Sequence, residues 1–353
     1  MVLAGTGIKY PKKNMKKFNL LFAKILFAVL FFCASFLGAQ QNYVVSTKVP
    51  DHSSHFTDVA YKTVDGKEIL LDVFLPKNLS QTPYPVVVQI HGGGWVEGNK
   101  DIPAGSYTEK TVLKLLDNGF AVVSIDYRLA SKEVHFPALI QDTKDAIRWV
   151  RKNTAVYHFD PENIGLWGGS AGGHLALLAA YSGDHDFVGD AGLSKYSAKS
   201  NYVLDNFGPT EMNEVFQVNA GKFKLWIMKI FAPKLVDIRS KLIFAVTGKT
   251  ISDETKPEIN ALMDAISPLK FVDHAVPTQI MHGTKDNVVP ISESKNLLAE
   301  LQKRHVMSTL EIVKKGNHGF NNISEEEQHL LAQKMVEFAR SQLVVYQNGN
   351  IAK

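Results

Sequence analysis

The chain has 353 residues, 45% hydrophobic and 21% charged, which is enough apolar sequence for one large domain; no internal repeat or Pro/Gly/Ser-rich linker divides it. Its net charge of +4 resides in the first 39 residues, which hold six lysines and no acids, and the remainder has 33 basic against 35 acidic residues. That balance excludes a nucleic-acid-binding face. A single cysteine, Cys33, excludes a disulfide framework, and twelve histidines scattered without cysteine or carboxylate companions give no reason to expect a metal or cofactor.

Taken in chain order, Lys9, Lys12, Lys13, Lys16, Lys17 and Lys24 precede an apolar run from Ile25 to Leu37 that is short for a bilayer span and ends in Leu37-Gly38-Ala39. Residues 1–39 are therefore expected to be a signal peptide cleaved near Ala39, a membrane anchor being the alternative if the run is extended back to Phe18 across Lys24. The product would be secreted or periplasmic, with no stable membrane insertion after cleavage. Met15-Lys16-Lys17 is the more natural start of such a signal, and Phe31 and Phe32 stand where a lipidated Cys33 would need small residues.

Lys67 to Leu75 alternates as a strand, and the valine-rich run Tyr84 to Ile90 is expected to be a buried parallel strand. That run feeds directly into His91-Gly92-Gly93-Gly94-Trp95. Glycines after a strand leave backbone N–H groups able to turn toward a developing oxyanion, so Gly93 and Gly94 are candidate donors together with the N–H of Ala171. Ala121 to Asp126 is the next strand, and Pro137 to Asn153 a helix with Leu139, Ile140, Ala146, Ile147 and Val150 on its apolar side. Asp126-Tyr127-Arg128 is expected to brace the sheet edge.

Asn163 to Trp167 is a short apolar strand, and His174 to Tyr181 an apolar helix. Between them, Gly168-Gly169-Ser170-Ala171-Gly172 has the Gly-x-Ser-x-Gly form that a strained strand-to-helix turn requires if a serine is to stand exposed as a nucleophile. Tyr202 to Phe207 follows as a strand. Residues 211–270 then interrupt the alternation, with helical patterns at Phe223–Phe231 and Ile259–Ile266. Such an insertion would lie over the serine as a lid, with Trp226, Met228 and Phe231 lining an acyl or aromatic pocket. Trp95 either touches substrate or packs beneath the glycine loop; His174 is expected to pack on its helix, and Glu97 to support the loop.

Pro277 to Met281 is another strand, and Asp286 lies just past its end, where α/β sheets place catalytic groups. A helix (Ser292 to Arg304) and a strand (Ser308 to Val313) lead to His318 in the loop before the last helix. The order Ser170, Asp286, His318 is that of a catalytic triad: His318 as base and then acid, Asp286 fixing its tautomer.

These motifs, together with Gly119-Phe-Ala-Val-Val-Ser-Ile-Asp-Tyr-Arg-Leu129, Phe136-Pro-Ala138, Asp142 and His282-Gly-Thr-Lys-Asp286, run from about Tyr61 to Ala339. The chain resembles the α/β-hydrolase esterases with an HGGG-type oxyanion loop, and within them the acetyl and feruloyl esterase-like (BD-FAE-like) group. Gly169 departs from the acidic residue usual at that position in the hormone-sensitive-lipase-like branch. The resemblance implies an α/β-hydrolase fold, with a mostly parallel sheet flanked by helices and a helical lid-like insertion. It also implies a serine carboxylesterase acting on short, acetyl-type esters of small molecules or plant polysaccharides. Residues 40–346 would form the catalytic domain and residues 347–353 a tail. Aryl formamidase or other amidase activity, or exopeptidase activity with the same triad, stays open; a non-catalytic binding module would be expected to have lost the nucleophile or base.

Overall fold

The computed structural model describes residues 43–77, 82–347 and 350–352; the expected signal peptide, its cleavage site and Cys33 lie outside the described residues. Eight strands make one twisted sheet. β1 (Ser53–Val64) and β2 (Lys67–Pro76) are an antiparallel hairpin joined at Asp65-Gly66, both with positive φ, which suits the right-handed twist of paired strands. β1 is mostly exposed and has two register irregularities, so it carries no apolar run.

From β3 onward the order is strand then helix. β3 (Tyr84–Ile90) is followed by α1 (Tyr107–Asp117), β4 (Ala121–Ile125) by α2 (Ala138–Lys152), and β5 (Phe159–Gly169) by α3 (Ala171–Tyr181). β6 (Tyr202–Asn206) leads into an excursion with α4 (Lys222–Phe231), α5 (Pro233–Thr247) and α6 (Lys256–Ala265). β7 (Thr278–Gly283), α7 (Ile291–Lys303), β8 (Ser308–Val313) and α8 (Glu325–Ser341) complete the sheet and its cover. The spatial order is β1-β2-β4-β3-β5-β6-β7-β8; β1 to β2 and β2 to β4 are antiparallel, and every later pair is parallel. Near the C-terminus, β9 (Val345–Gln347) lies antiparallel to β10 (Asn350–Ala352).

Parallel strands covered on both faces must be apolar throughout, and the side chains of β3 divide accordingly. Val86, Val88 and Ile90 join a core with Leu139, Ile147 and Leu175 of α2 and α3, whereas Val87 faces Leu115 of α1 and Met335 of α8. Each fully buried Val, Leu or Ile contributes about 1.5–3 kcal/mol relative to exposure.

The edge bracing expected of Asp126-Tyr127-Arg128 has a defined form. Arg128 grips Asp142 of α2 through two bonds of 2.7 and 2.8 Å, and Lys62 of β1 reaches both Asp142 (2.8 Å) and Asp145 (2.7 Å). Arg148 closes on Asp145 at 3.1 Å. All but Arg128 are buried, so each charge depends on its partners to offset desolvation.

The excursion is part of the core. α5, which the apolar pattern does not reveal, contributes Leu242, Ile243 and Val246, and α6 contributes Ile259 and Met263, to the same buried cluster as the sheet. Its two ends meet in a neck: Leu269 N–H donates to Thr210 O (3.2 Å), and Met212 N–H to Ser267 Oγ (2.9 Å). Glu293 of α7 clamps that neck, one carboxylate oxygen accepting from Thr210 N, Thr210 Oγ1 and Glu211 N at 2.8–2.9 Å.

Candidate active site

β3 and β5 lie side by side in parallel, with Ile90 opposite Gly168, so the loops that leave them emerge at one sheet edge. β5 turns into α3 at Ser170, whose φ of 57° and ψ of −124° are a strained conformation for a residue with a Cβ, costing on the order of 1–3 kcal/mol. The turn is held by Ser170 N–H to Asn206 O (2.9 Å). Its glycines are required by proximity: a Cβ on Gly172 would lie 2.1 Å from the Ile90 carbonyl oxygen. Ala171, first residue of α3, has a backbone N–H with no acceptor inside the helix.

The loop after β3 curls back on itself, with Gly93 O accepting from the N–H groups of Val96 and Glu97 at 3.1 Å. Gly93 has a φ of +106°, and a Cβ there would meet Glu97 O at 2.0 Å. Gly94 follows with φ of +57°. His91 donates from Nδ1 to Gly92 O (2.7 Å) and stacks on Tyr127, whose hydroxyl donates to His91 O (3.1 Å). Burial lowers the His91 pKa to about 4, so the ring is neutral and serves as a brace.

Asp286 and His318 come from the loops after β7 and β8. The Asp286 side chain is fully buried; its Oδ1 accepts from Val288 N (2.8 Å) and Val289 N (2.9 Å), and its Oδ2 accepts the His318 Nδ1 proton at 2.7 Å. That bond leaves His318 Nε2 as the bare, accepting nitrogen. The His318 ring packs on Phe207 at 4.5 Å between centroids. A second histidine, His282 at the end of β7, supports the loop from below. It donates to Val289 O from Nε2 (2.9 Å) and accepts from Ser294 Oγ at Nδ1 (2.7 Å), and burial lowers its pKa.

Ser170, His318, Gly93 and Gly94 line one cavity of about 300 Å³. Glu97, Tyr107, Thr108, Asn206, Phe207 and Val288 complete much of its wall. The lining residues Tyr107 and Thr108 open α1, which a Ser106-x-x-Glu109 capping pattern marks in the sequence; Asn206 and Phe207 carry no motif.

The three residues expected to bind substrate are elsewhere. Trp95 is 4% exposed and points under the loop, its indole N–H donating to His174 Nδ1 (3.1 Å) and its ring packing on Phe216. His174 in turn donates from Nε2 to Ile266 O (2.7 Å). Trp226 and Phe231 face outward from α4, while Met228 is turned inward from the same helix. None of these, and no other residue of 211–270, is among the cavity's lining residues. Among the described residues no cluster of three His, Cys, Asp or Glu side chains could hold a metal ion, and no helix is long and apolar enough to cross a membrane.

Residues 71–301 match the BD-FAE family. A truncated carbohydrate esterase from gut microbiota has a similar structure, with a TM-score of 0.63 at 27% identity over 86% of this chain and 99% of that one. Esterase LipC of Mycobacterium tuberculosis is 28% identical over 260 residues, 73% of this chain and 58% of its own. A non-reducing polyketide synthase, atr1 of Stereocaulon alpinum, is 29% identical over 307 residues, again 73% of this chain but 12% of its own. The chain thus spans little more than half of one curated relative and about an eighth of the other.

Proposed function

We propose that this chain, which belongs to the BD-FAE family, is a serine carboxylesterase that removes short, acetyl-type acyl groups from carbohydrate or other small esters. The observation that carries the reading is the 2.7 Å His318–Asp286 bond: it leaves His318 Nε2 bare in the same cavity as Ser170 and the glycine loop. Ser170 Oγ attacks the ester carbonyl as its proton passes to Nε2. The oxyanion is met by backbone N–H groups of Gly93, Gly94 and Ala171, each such donor being worth about 3–4 kcal/mol in the transition state. Collapse expels the alcohol with the proton from Nε2, leaving the acyl group on Ser170. Water, deprotonated by Nε2, then attacks, and Ser170 recovers its proton as the acid leaves.

The cavity of about 300 Å³, at the small end of ligand sites, supports a short acyl group. The gut carbohydrate esterase supports a sugar alcohol as the other half of the ester. The lysine-then-apolar leader supports export, which N-terminal sequencing of the exported protein tests: a start near Gln40 is expected.

The deciding experiment is hydrolysis of p-nitrophenyl esters from acetate to decanoate, beside acetylated xylan, by the wild type and Ser170→Ala. A serine-dependent rate highest at acetate, with acetate released from xylan, is expected. Equal rates for the two proteins overturn the ester reading and favour amides, for which aryl formamides are the next substrate.

A further inference from the structure

The exposed face of α4 has no part in the site described above. Phe223, Trp226 and Ile230 are 73%, 59% and 52% exposed, with Phe231 exposed beside them, and the Phe223 and Trp226 rings stack at 6.1 Å. At about 100° per residue, these positions and Ile227 form an unbroken apolar arc of roughly 140°. Lys224 borders one side of that arc and Lys222 and Lys229 the other. The opposite face, with Met228 and Ala232, is buried against the body of the protein. From 222 to 234 the segment has four lysines and no acid. Lys222 pairs with Asp253 at 2.7 Å, while Lys224, Lys229 and Lys234 carry no ion pair among the described residues.

We propose that this face of α4 docks on an anionic lipid surface. An apolar arc bordered by cations is the form of a helix lying in the plane of a membrane interface, with aromatic side chains at the acyl boundary and lysines among the headgroups. The charge argues against a second copy of the chain, because a two-fold contact would set these lysines against their own equivalents. The docking is peripheral and independent of the esterase reading.

Trp226 is its own reporter. The chain has four tryptophans, and the other three, Trp95, Trp149 and Trp167, are buried. The full chain is mixed with vesicles of phosphatidylcholine alone or with one-third phosphatidylglycerol, and sedimentation and tryptophan emission are followed. With phosphatidylglycerol we expect a blue shift and quenching by brominated acyl chains. Trp226→Phe should remove both while keeping sedimentation. Each lysine near an anionic surface raises partitioning about fivefold, so Lys224→Glu with Lys229→Glu should lower the partitioning reported by Trp226 about 20-fold or more, with hydrolysis of a soluble ester unchanged. The proposal is overturned by an absent shift, by a shift of equal size on pure phosphatidylcholine, by a shift that survives either variant, or by a lipid-free, concentration-dependent dimer that covers Trp226.

Discussion

Replacing Asp286 by Asn changes one atom in the site and separates its catalytic part from its structural part. The Asn carbonyl can keep the Oδ1 position, where Val288 and Val289 donate at 2.8 and 2.9 Å, so the loop retains both bonds. The NH₂ then replaces Oδ2, opposite His318 Nδ1 at 2.7 Å. Since it can only donate, Nδ1 must become the acceptor and the ring proton moves to Nε2, the nitrogen proposed to take the Ser170 proton. Loss of the correct tautomer costs about 10⁴ in kcat, close to 5 kcal/mol of barrier. The fold loses only the extra strength of charge-assisted over neutral bonds, about 1–2 kcal/mol. The assay is kcat and KM on p-nitrophenyl acetate beside a urea unfolding curve for the same protein. A variant within tenfold of wild-type kcat, with its fold intact, would refute the assignment of Asp286 as the residue that orients His318.

Three further outcomes follow from the geometry. Gly93→Ala must displace either Glu97 or the loop, since its Cβ would lie 2.0 Å from a carbonyl oxygen at a φ of +106°, so kcat should fall by about 10²–10³ with little change in KM. Gly105→Ala, at a φ of +71° with open space around it, is the control and should keep its activity. Asp205 is buried and its pKa is raised to about 7 from 3.8, so the fold favours its protonated form: that stability is full below about pH 4 and is lost as the pH rises through 7. Asp205→Asn should therefore gain on the wild type by up to about 4 kcal/mol between pH 4 and 8, read from urea midpoints; a pH-independent difference would exclude this origin. Lys62→Met leaves Asp142 and Asp145 short of one buried cation and should cost about 3 kcal/mol, while the conservative Lys62→Arg should recover part of it.

What could be read from the chain is what depends on neighbours in sequence. The valines of β3, the glycines around Ser170 and the turn residues after β7 act within a few positions of one another, and the strands and helices expected from them lie within a few residues of their observed ends. The Trp95 indole shows the opposite case: its direction is decided by His174, 79 positions away, and by Phe216. Likewise, Trp226 and Phe231 are large and apolar, which from sequence alone suggests burial, yet the inward side of α4 is already filled by Met228 and Ala232. β1 is not legible in the sequence, because an edge strand that is mostly exposed has no apolar rhythm. α5 does not stand out because its inward face carries the charged Arg239 while Ile238 and Phe244 spread apolar character to its other sides.

The hydrogen-bonded neck between Thr210 and Leu269 makes the segment it encloses a cassette. Because its entry and exit are fastened to each other and to Glu293, the rest of the protein meets the same two ends whatever lies between them. The entropy of closing such a loop rises only by about 0.6 kcal/mol for each doubling of its length. Insertions or deletions near α4 are therefore cheap for the sheet, whereas the inward residues of α5 and α6 are held to their places by the core. Within one chain, this lets a surface helix change its composition quickly while Ser170, Asp286 and His318 keep their spacing.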